Sequence, residues 1–252
     1  MSYLGLVRPV VKGYLSCFDT SKKKLKPVIL EIGVDKGQTT IPLVQNLVNN
    51  FDSFVYIGVD IKLNEEFANQ IMQFSGINIK YEGRTQAESE SDKHVILITA
   101  NSLDYLKRTE NMRYDVVFLD GDHNYTTVIN ELKLLENNTH ENSIIVCDDY
   151  MGRWSMQDLF YSDRKEYKDN ELATARNDKT VIEGKKGVKT AVDDFIEYSK
   201  YNWDLLPTNT EPCILSRGKD HKLKFTQTIV GRGYMRDVRL LPIVNKSSKD
   251  NV

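Results

Sequence analysis

Five short runs rich in Val, Ile, Leu and aromatic residues constrain this chain more than any other feature. They are Pro27 to Ile32, Phe54 to Asp60, Val95 to Thr99, Asp115 to Asp120 and Ser143 to Asp148. Their apolar character is nearly continuous, with little alternation, which is the pattern of parallel strands covered on both faces. Between them lie segments with helical periodicity. Ile41, Val44, Leu47 and Val48 share one face, Phe67, Ile71 and Phe74 another, and Val128, Leu132 and Leu135 a third. Strands alternating with such helices give five βα units and an α/β architecture.

After the fifth run the pattern fails from Met151 to Lys186, a charged stretch interrupted by Trp154, Leu159, Phe160, Tyr161 and Tyr167. Long irregular insertions of this kind are usually functional. A helix then resumes with Val188, Ala191, Val192, Phe195 and Ile196 on one face. Two further apolar runs, Trp203 to Pro207 and Cys213 to Arg217, are separated by a turn region, Thr208 to Pro212. The expected fold is a Rossmann-like α/β domain. It has a seven-stranded, mostly parallel sheet ending in an antiparallel hairpin, with helices on both faces. The expected division is a helical N-terminal extension over 1–26, one large domain over 27–218 with an insertion at 151–187, and a C-terminal extension over 219–252.

A chain of 252 residues, 40% hydrophobic, can bury a sizeable core in one such domain. Its 34 basic and 36 acidic side chains leave a formal charge of -2, so it has no global basic field to gather nucleic acid. Cys17, Cys147 and Cys213 are an odd number without a CxxC pair, against a disulfide framework or zinc knuckle. No apolar run approaches the roughly 20 residues needed to span a bilayer. A cytoplasmic protein with no membrane partner is expected. The segment through Cys17 and the stretch Lys222 to Val244 leave two roles open, packing on the core or the interface of a homo-oligomer.

The first strand runs into Glu31-Ile-Gly-Val-Asp-Lys-Gly37, a strand-to-helix loop whose glycines allow a tight turn and close approach of backbone to a ligand. The second strand ends in Asp60, at the distance from this loop expected of an acid that accepts ribose hydroxyls. The third ends in Ala100-Asn101-Ser102, at the sheet edge where ligands of open α/β folds bind. Asn101 and Ser102 suit either an adenine contact or a helix N-cap before Leu103. A nicotinamide-dependent oxidoreductase would use the same geometry. It usually carries G-x-G-x-x-G, however, and here Asp35 stands where the middle glycine would be. A cofactor-binding module without catalysis is a further alternative.

The fourth strand ends in Phe118-Leu-Asp-Gly-Asp-His-Asn-Tyr125 and the fifth in Val146-Cys-Asp-Asp-Tyr150. Several carboxylates thus converge on one edge, an arrangement that costs energy unless a cation or proton compensates it. Oxygen ligands of this type suit Mg²⁺ or a similar hard divalent ion. Asp122 and His123 follow directly as candidate bases. An imidazole titrating near neutrality is well suited to take a hydroxyl proton, which favours His123 slightly.

Over Pro27 to Arg217 the acidic loop opening and the terminal hairpin resemble class I S-adenosylmethionine-dependent methyltransferases. Glu31-Ile-Gly-Val looks like the form found in metal-dependent O-methyltransferases of the catechol and caffeoyl-CoA types. The Asp148-Asp149 pair and Asp120-Gly-Asp122 are more similar to the macrocin-type, antibiotic-sugar branch. The resemblance implies a cofactor site at Glu31, Gly33, Val34, Gly37, Thr39, Asp60, Asn101, Ser102 and Asp120. It also implies metal ligands at Asp120, Asp148 and Asp149, and a small-molecule hydroxyl acceptor, a sugar or a diol. The families disagree over the base: the catechol type has a lysine where His123 stands, and the sugar type points to Asp122. The insertion, with Trp154, Phe160 and Tyr161 as apolar walls, would close over the acceptor.

Overall fold

The computed structural model describes residues 26–81, 92–207, 211–217, 224–227 and 238–241. Its centre is an eight-stranded sheet. The first strands and helices are β1 (Val28–Ile32), α1 (Thr40–Asn50), β2 (Phe54–Asp60), α2 (Glu65–Ser75), β3 (Ile79–Tyr81) and β4 (Lys93–Thr99). Then come α3 (Ser102–Arg108), β5 (Tyr114–Leu119), α4 (Tyr125–Asn137), β6 (Thr139–Cys147), α5 (Val188–Tyr198), β7 (Trp203–Pro207) and β8 (Cys213–Arg217). The sheet order is β3-β4-β2-β1-β5-β6-β8-β7. Every pairing from β3 to β6 is parallel, and β8 inserts antiparallel between β6 and β7. The expected Rossmann-like sheet with its terminal hairpin is therefore present.

One strand was not anticipated: Ile79–Tyr81 adds to the outer edge beside β4, making eight rather than seven. Three residues are too few to display a period. Strands β9 (Lys224–Gln227) and β10 (Val238–Leu241) form a separate antiparallel pair in the C-terminal extension. Of the expected helical extension over 1–26, residues 1–25 lie outside the described residues, as do the stretch 82–91 and residues 208–210 of the hairpin turn region. Among the described residues, no helix is long and apolar enough to cross a membrane.

Alternation along the strands divides the core in two. Ile29, Tyr56, Val95, Val116 and Phe118 face α1 and α2, while Leu30, Ile57, Val117, Leu119 and Ile145 face α3, α4 and α5. Burial of these side chains on both faces explains why the runs look uniformly apolar in sequence. The helix faces match the expected ones with one correction. Phe67 and Ile71 are buried, but Phe74, two residues before the C-cap at Gly76, is 40% exposed.

The order in which strands are added reverses between β1 and its parallel neighbour β5. From β1 the chain builds outward through β2 and β4, and it then returns to place β5 and β6 on the other side. Ligands of open α/β sheets bind outside the carboxyl ends of strands at such a switch. Backbone hydrogen bonds tie the ends together there: Gly33 N–H donates to Val59 O, Asp120 N–H to Ile32 O, and Asp148 N–H to Leu119 O, at 2.9, 2.8 and 3.0 Å.

Candidate active site

The loop after β1 needs glycine twice. Gly33 has φ +88°, and a Cβ there would overlap the backbone carbonyl of Asp120. Gly37 has φ +75°, and a Cβ would strike the Phe67 ring. These contacts bring the loop against the end of β5 and the start of α2. Asp60 holds the loop's shape: its Oδ2 accepts from the N–H groups of Val34 and Asp35 at 2.8 and 2.9 Å, and its Oδ1 from Lys62 N–H at 2.9 Å. Burial raises its pKa against these three hydrogen bonds. A carboxylate has about four lone-pair sites, so Asp60 keeps capacity for a ligand hydroxyl as well.

Glu31 is 1% exposed. Its Oε2 accepts from Tyr56 Oη at 2.6 Å and Thr40 Oγ1 at 3.0 Å, and burial pushes its pKa up to about 7. Neither Tyr56 nor Thr40 stood out in the sequence, because each looks like an ordinary core residue of its strand or helix.

A cavity of about 220 Å³ lies over these strand ends. Its floor includes Glu31, Gly33, Val34, Thr39, Asp60 and Asp120, and its side wall includes Asn101 and Ser102. Eight of the nine residues expected to contact the cofactor thus line one space. Gly37 stands behind it as the turn residue. Asn101 is the N-cap of α3: its Oδ1 accepts from Leu103 N–H at 3.0 Å, while its Nδ2 donates to Leu172 O at 2.9 Å. The capping alternative therefore holds at this position.

The insertion forms the roof. Tyr161, Arg164, Tyr167, Leu172, Ala173 and Thr174 close the cavity from above. Of the three aromatic walls expected, only Tyr161 reaches it. Phe160 is buried under the Arg176 guanidinium, and Trp154 stacks with Arg153. The segment has almost no regular structure beyond a 3₁₀ turn at Tyr161–Asp163, so periodicity could not reveal which of its side chains face inward.

The acidic residues meet where the cavity ends. Asp120 lines it and shares a hydrogen bond with Asp148. Burial and the neighbouring carboxylate raise the pKa of Asp120, and burial raises that of Asp148. The Oδ1 of Asp148 is buried without a hydrogen-bond partner. Asp149, at φ +54°, turns its Oδ2 toward His123 Nδ1 at 3.3 Å, and its pKa rises to about 6 through burial and the charges of Asp148 and Glu211. Among the described residues, no three His, Cys, Asp or Glu side chains surround a common point as a metal cage. Asp120 and Asp148 are nevertheless paired as a cation or a shared proton would require, with a free buried oxygen beside them.

The two candidate bases diverge. Asp122 lines the cavity, and its Oδ2 accepts from Thr127 Oγ1 at 3.1 Å; burial pushes its pKa up to about 6. His123 is 6% exposed and absent from the cavity wall. It lies between Asp149 and Asp120, with its Nε2 3.7 Å from Asp120 Oδ1, and its carbonyl accepts from Leu159 N–H. Burial and the Arg164 charge hold its pKa down to about 4.

Residues 30–150, which span β1 to the acids after β6, match a family model described as a methyltransferase domain. This stretch, just under half of the chain, is similar to a methyltransferase domain. The match favours a methyltransferase over the oxidoreductase alternative and coincides with the cavity floor and acid cluster, while the roof lies beyond it. Among solved structures the chain resembles the TDP-rhamnose 3'-O-methyltransferase of calicheamicin biosynthesis, at 12% identity and TM-score 0.49 over 86% of this chain and 79% of that one. It also resembles an O-methyltransferase from Bacillus cereus in complex with SAH, at 15% identity and TM-score 0.46 over 86% and 82%. A third is the mycinamycin-pathway methyltransferase in complex with Mg, SAH and mycinamycin VI, at 13% identity and TM-score 0.45 over 84% and 54%. Likeness at this level concerns chain course, and no residue of the candidate site rests on it. No curated protein sequence matches the chain.

Proposed function

We propose that this domain uses S-adenosylmethionine to methylate a hydroxyl of a small molecule, a sugar or a diol, with help from a divalent ion such as Mg²⁺. One observation carries the reading: Asp120 belongs both to the wall of the cavity and to the acid cluster, so a cofactor in the cavity would end where the acids begin. Glu31, Asp60, Thr39 and Ser102 offer polar contacts for an adenosine-like ligand, and Gly33 and Val34 let its chain pass close to the backbone.

When bound, S-adenosylmethionine supplies an electrophilic methyl group and the divalent ion lowers the pKa of a coordinated hydroxyl. Asp120 and Asp148 would hold the ion. Asp149, engaged with His123, would complete the set only after turning from it. The chain's own contribution is to fix the acceptor oxygen in line with the methyl carbon, to keep water out beneath the roof, and to take up the hydroxyl proton. Of the two candidate bases, Asp122 is favoured because its carboxylate faces the cavity and its pKa near 6 leaves it ionised at neutral pH. His123 is better placed to orient Asp149 and Asp120.

The deciding experiment incubates the protein with S-adenosylmethionine and panels of sugar and diol acceptors, with and without excess EDTA. The reading requires methyl transfer that EDTA stops and Mg²⁺ restores. Transfer that persists undiminished in EDTA removes the ion from the mechanism, and failure of the protein to bind S-adenosylmethionine removes the donor.

A further inference from the structure

The roof is built as a flap with a stiff neck and a lightly held tip. At its neck, Ser162 Oγ donates to Thr174 O at 2.8 Å. The Arg176 guanidinium donates to Asp163 Oδ2 at 2.7 and 3.0 Å. These bonds join the outgoing and returning strands of the segment, so residues 161–176 form one closed unit. Outside the unit the chain is anchored to the domain: Leu159 N–H donates to His123 O, and Ile182 N–H to Thr126 Oγ1. The tip lies across the cavity, over the ends of β2 and β4. Two side-chain amides bridge that gap. Asn101 Nδ2 donates to Leu172 O at 2.9 Å, and Asn170 Nδ2 donates to Ile61 O at 3.0 Å. Lys62 over the Tyr167 ring, 5.8 Å from its centroid, adds a weak contact.

We infer that Asn170 is the latch of this flap, a positioning residue that sets how long the cofactor and its demethylated product stay in the cavity. This role rests on the cavity being the S-adenosylmethionine site. Tyr161, Tyr167 and Leu172 line the space on the roof side, so the tip, while down, lies across a route by which a nucleoside would leave. Raising the tip about its neck breaks the two amide bonds and leaves the neck intact. Asn101 also caps α3, so its loss would disturb the domain itself. Asn170 has no such second duty toward the sheet: its Oδ1 serves only the local turn, accepting from Leu172 N–H at 2.9 Å. Small-loop closures of this kind often govern product release.

Asn170→Asp separates the two roles, since the carboxylate keeps the acceptor for Leu172 and loses the donor to Ile61 O. Asn170→Ser, too short to cross the gap, is the second variant. Dissociation of S-adenosylhomocysteine is followed by stopped-flow chase, and amide hydrogen exchange is followed on ligand-free protein. Loss of one net hydrogen bond from the closed state should speed dissociation about three- to tenfold. Exchange should rise within 161–176 and stay unchanged in the sheet, with the thermal midpoint held. Unchanged dissociation and exchange in both variants would overturn the latch while leaving the cofactor reading intact. Faster exchange spread through the sheet would overturn it too, as general destabilisation. A wild-type protein that binds neither form of the cofactor would instead refute the proposed function, and the ligand-free exchange would still decide whether Asn170 holds the flap.

Discussion

The Tyr56 hydroxyl lies 2.6 Å from Glu31 Oε2, in a place from which both side chains exclude water. A buried acid beside the cofactor cavity thus depends on a phenol from the neighbouring strand. Tyr56→Phe removes that donor and leaves Thr40 Oγ1 as the remaining side-chain partner on Oε2. A loss of about 1–3 kcal/mol in urea unfolding is expected. In a Glu31→Gln background the same substitution should cost less, and a double-mutant cycle measures the difference.

Glu131 provides the clearest pH test of the fold. It is 1% exposed, one of its oxygens has no partner, and burial pushes its pKa up to about 8. The folded state therefore binds a proton that the unfolded chain releases near the ordinary value of 4.5. Stability from this group is full below that value and falls as pH rises through about 8. Glu131→Gln should flatten the decline between pH 6 and pH 8.5, and stabilise the protein at the upper end by on the order of a few kcal/mol. Thermal unfolding across that range reads the slope; a parallel decline in the variant would contradict the assignment.

Gly33→Ala forces a side chain into the Asp120 carbonyl at a φ that L residues avoid. The expected cost exceeds about 3 kcal/mol, with loss of cofactor binding as the loop moves from the end of β5. Calorimetric titration with S-adenosylhomocysteine gives the second quantity.

Asp148→Asn should act oppositely on stability and activity. Replacing one of two carboxylates that share a hydrogen bond relieves their repulsion, so the metal-free protein gains stability. Under the proposed mechanism, Mg²⁺-dependent transfer should fall by more than about 100-fold, since neutral amides are poorer ligands for hard cations. A variant that is both less stable and equally active would mean that the pair is structural.

The proposed base is tested by comparing Asp122→Asn with His123→Gln. Loss of a general base lowers turnover by about 10²–10⁴. The larger loss is expected for Asp122, with wild-type activity rising as pH passes through about 6 and then levelling, because the ionised carboxylate is the active form. If His123→Gln is the more damaging change and abolishes the rise, the proton goes to the imidazole instead.

Much of the site's floor was readable from sequence because it lies at strand ends, and parallel strands announce themselves by unbroken apolar runs. Glu31, Asp60, Asp120 and Asp148 each follow or close such a run, so sheet topology alone brings them to one edge. The roof was readable only as an insertion with Tyr161 among its candidate walls. Arg164, Leu172 and Thr174 reach the cavity through irregular turns held by backbone and side-chain hydrogen bonds, and no repeat spacing accompanies them. Cys147 and Cys213, distant in sequence, are buried partners across β6 and β8, a pairing that exists only because the hairpin returns inside the sheet. Tyr56 was hidden for a different reason: one oxygen at the end of a core aromatic leaves no trace in the hydrophobic pattern.

Asp158 Oδ1 accepts from Tyr125 N–H at 2.8 Å and from Gly187 N–H at 2.9 Å. One carboxylate oxygen thus gathers the first turn of α4, the departure of the insertion and its return before α5. The intervening residues begin and end at nearly one point, so exchanging them for a segment of different length changes mainly a slowly varying loop-closure entropy. The sheet and the acid-bearing edge can stay constant while the cover over them is replaced. A lineage, or an engineer, can therefore alter what this domain admits by rewriting a cassette whose ends one acid already holds together.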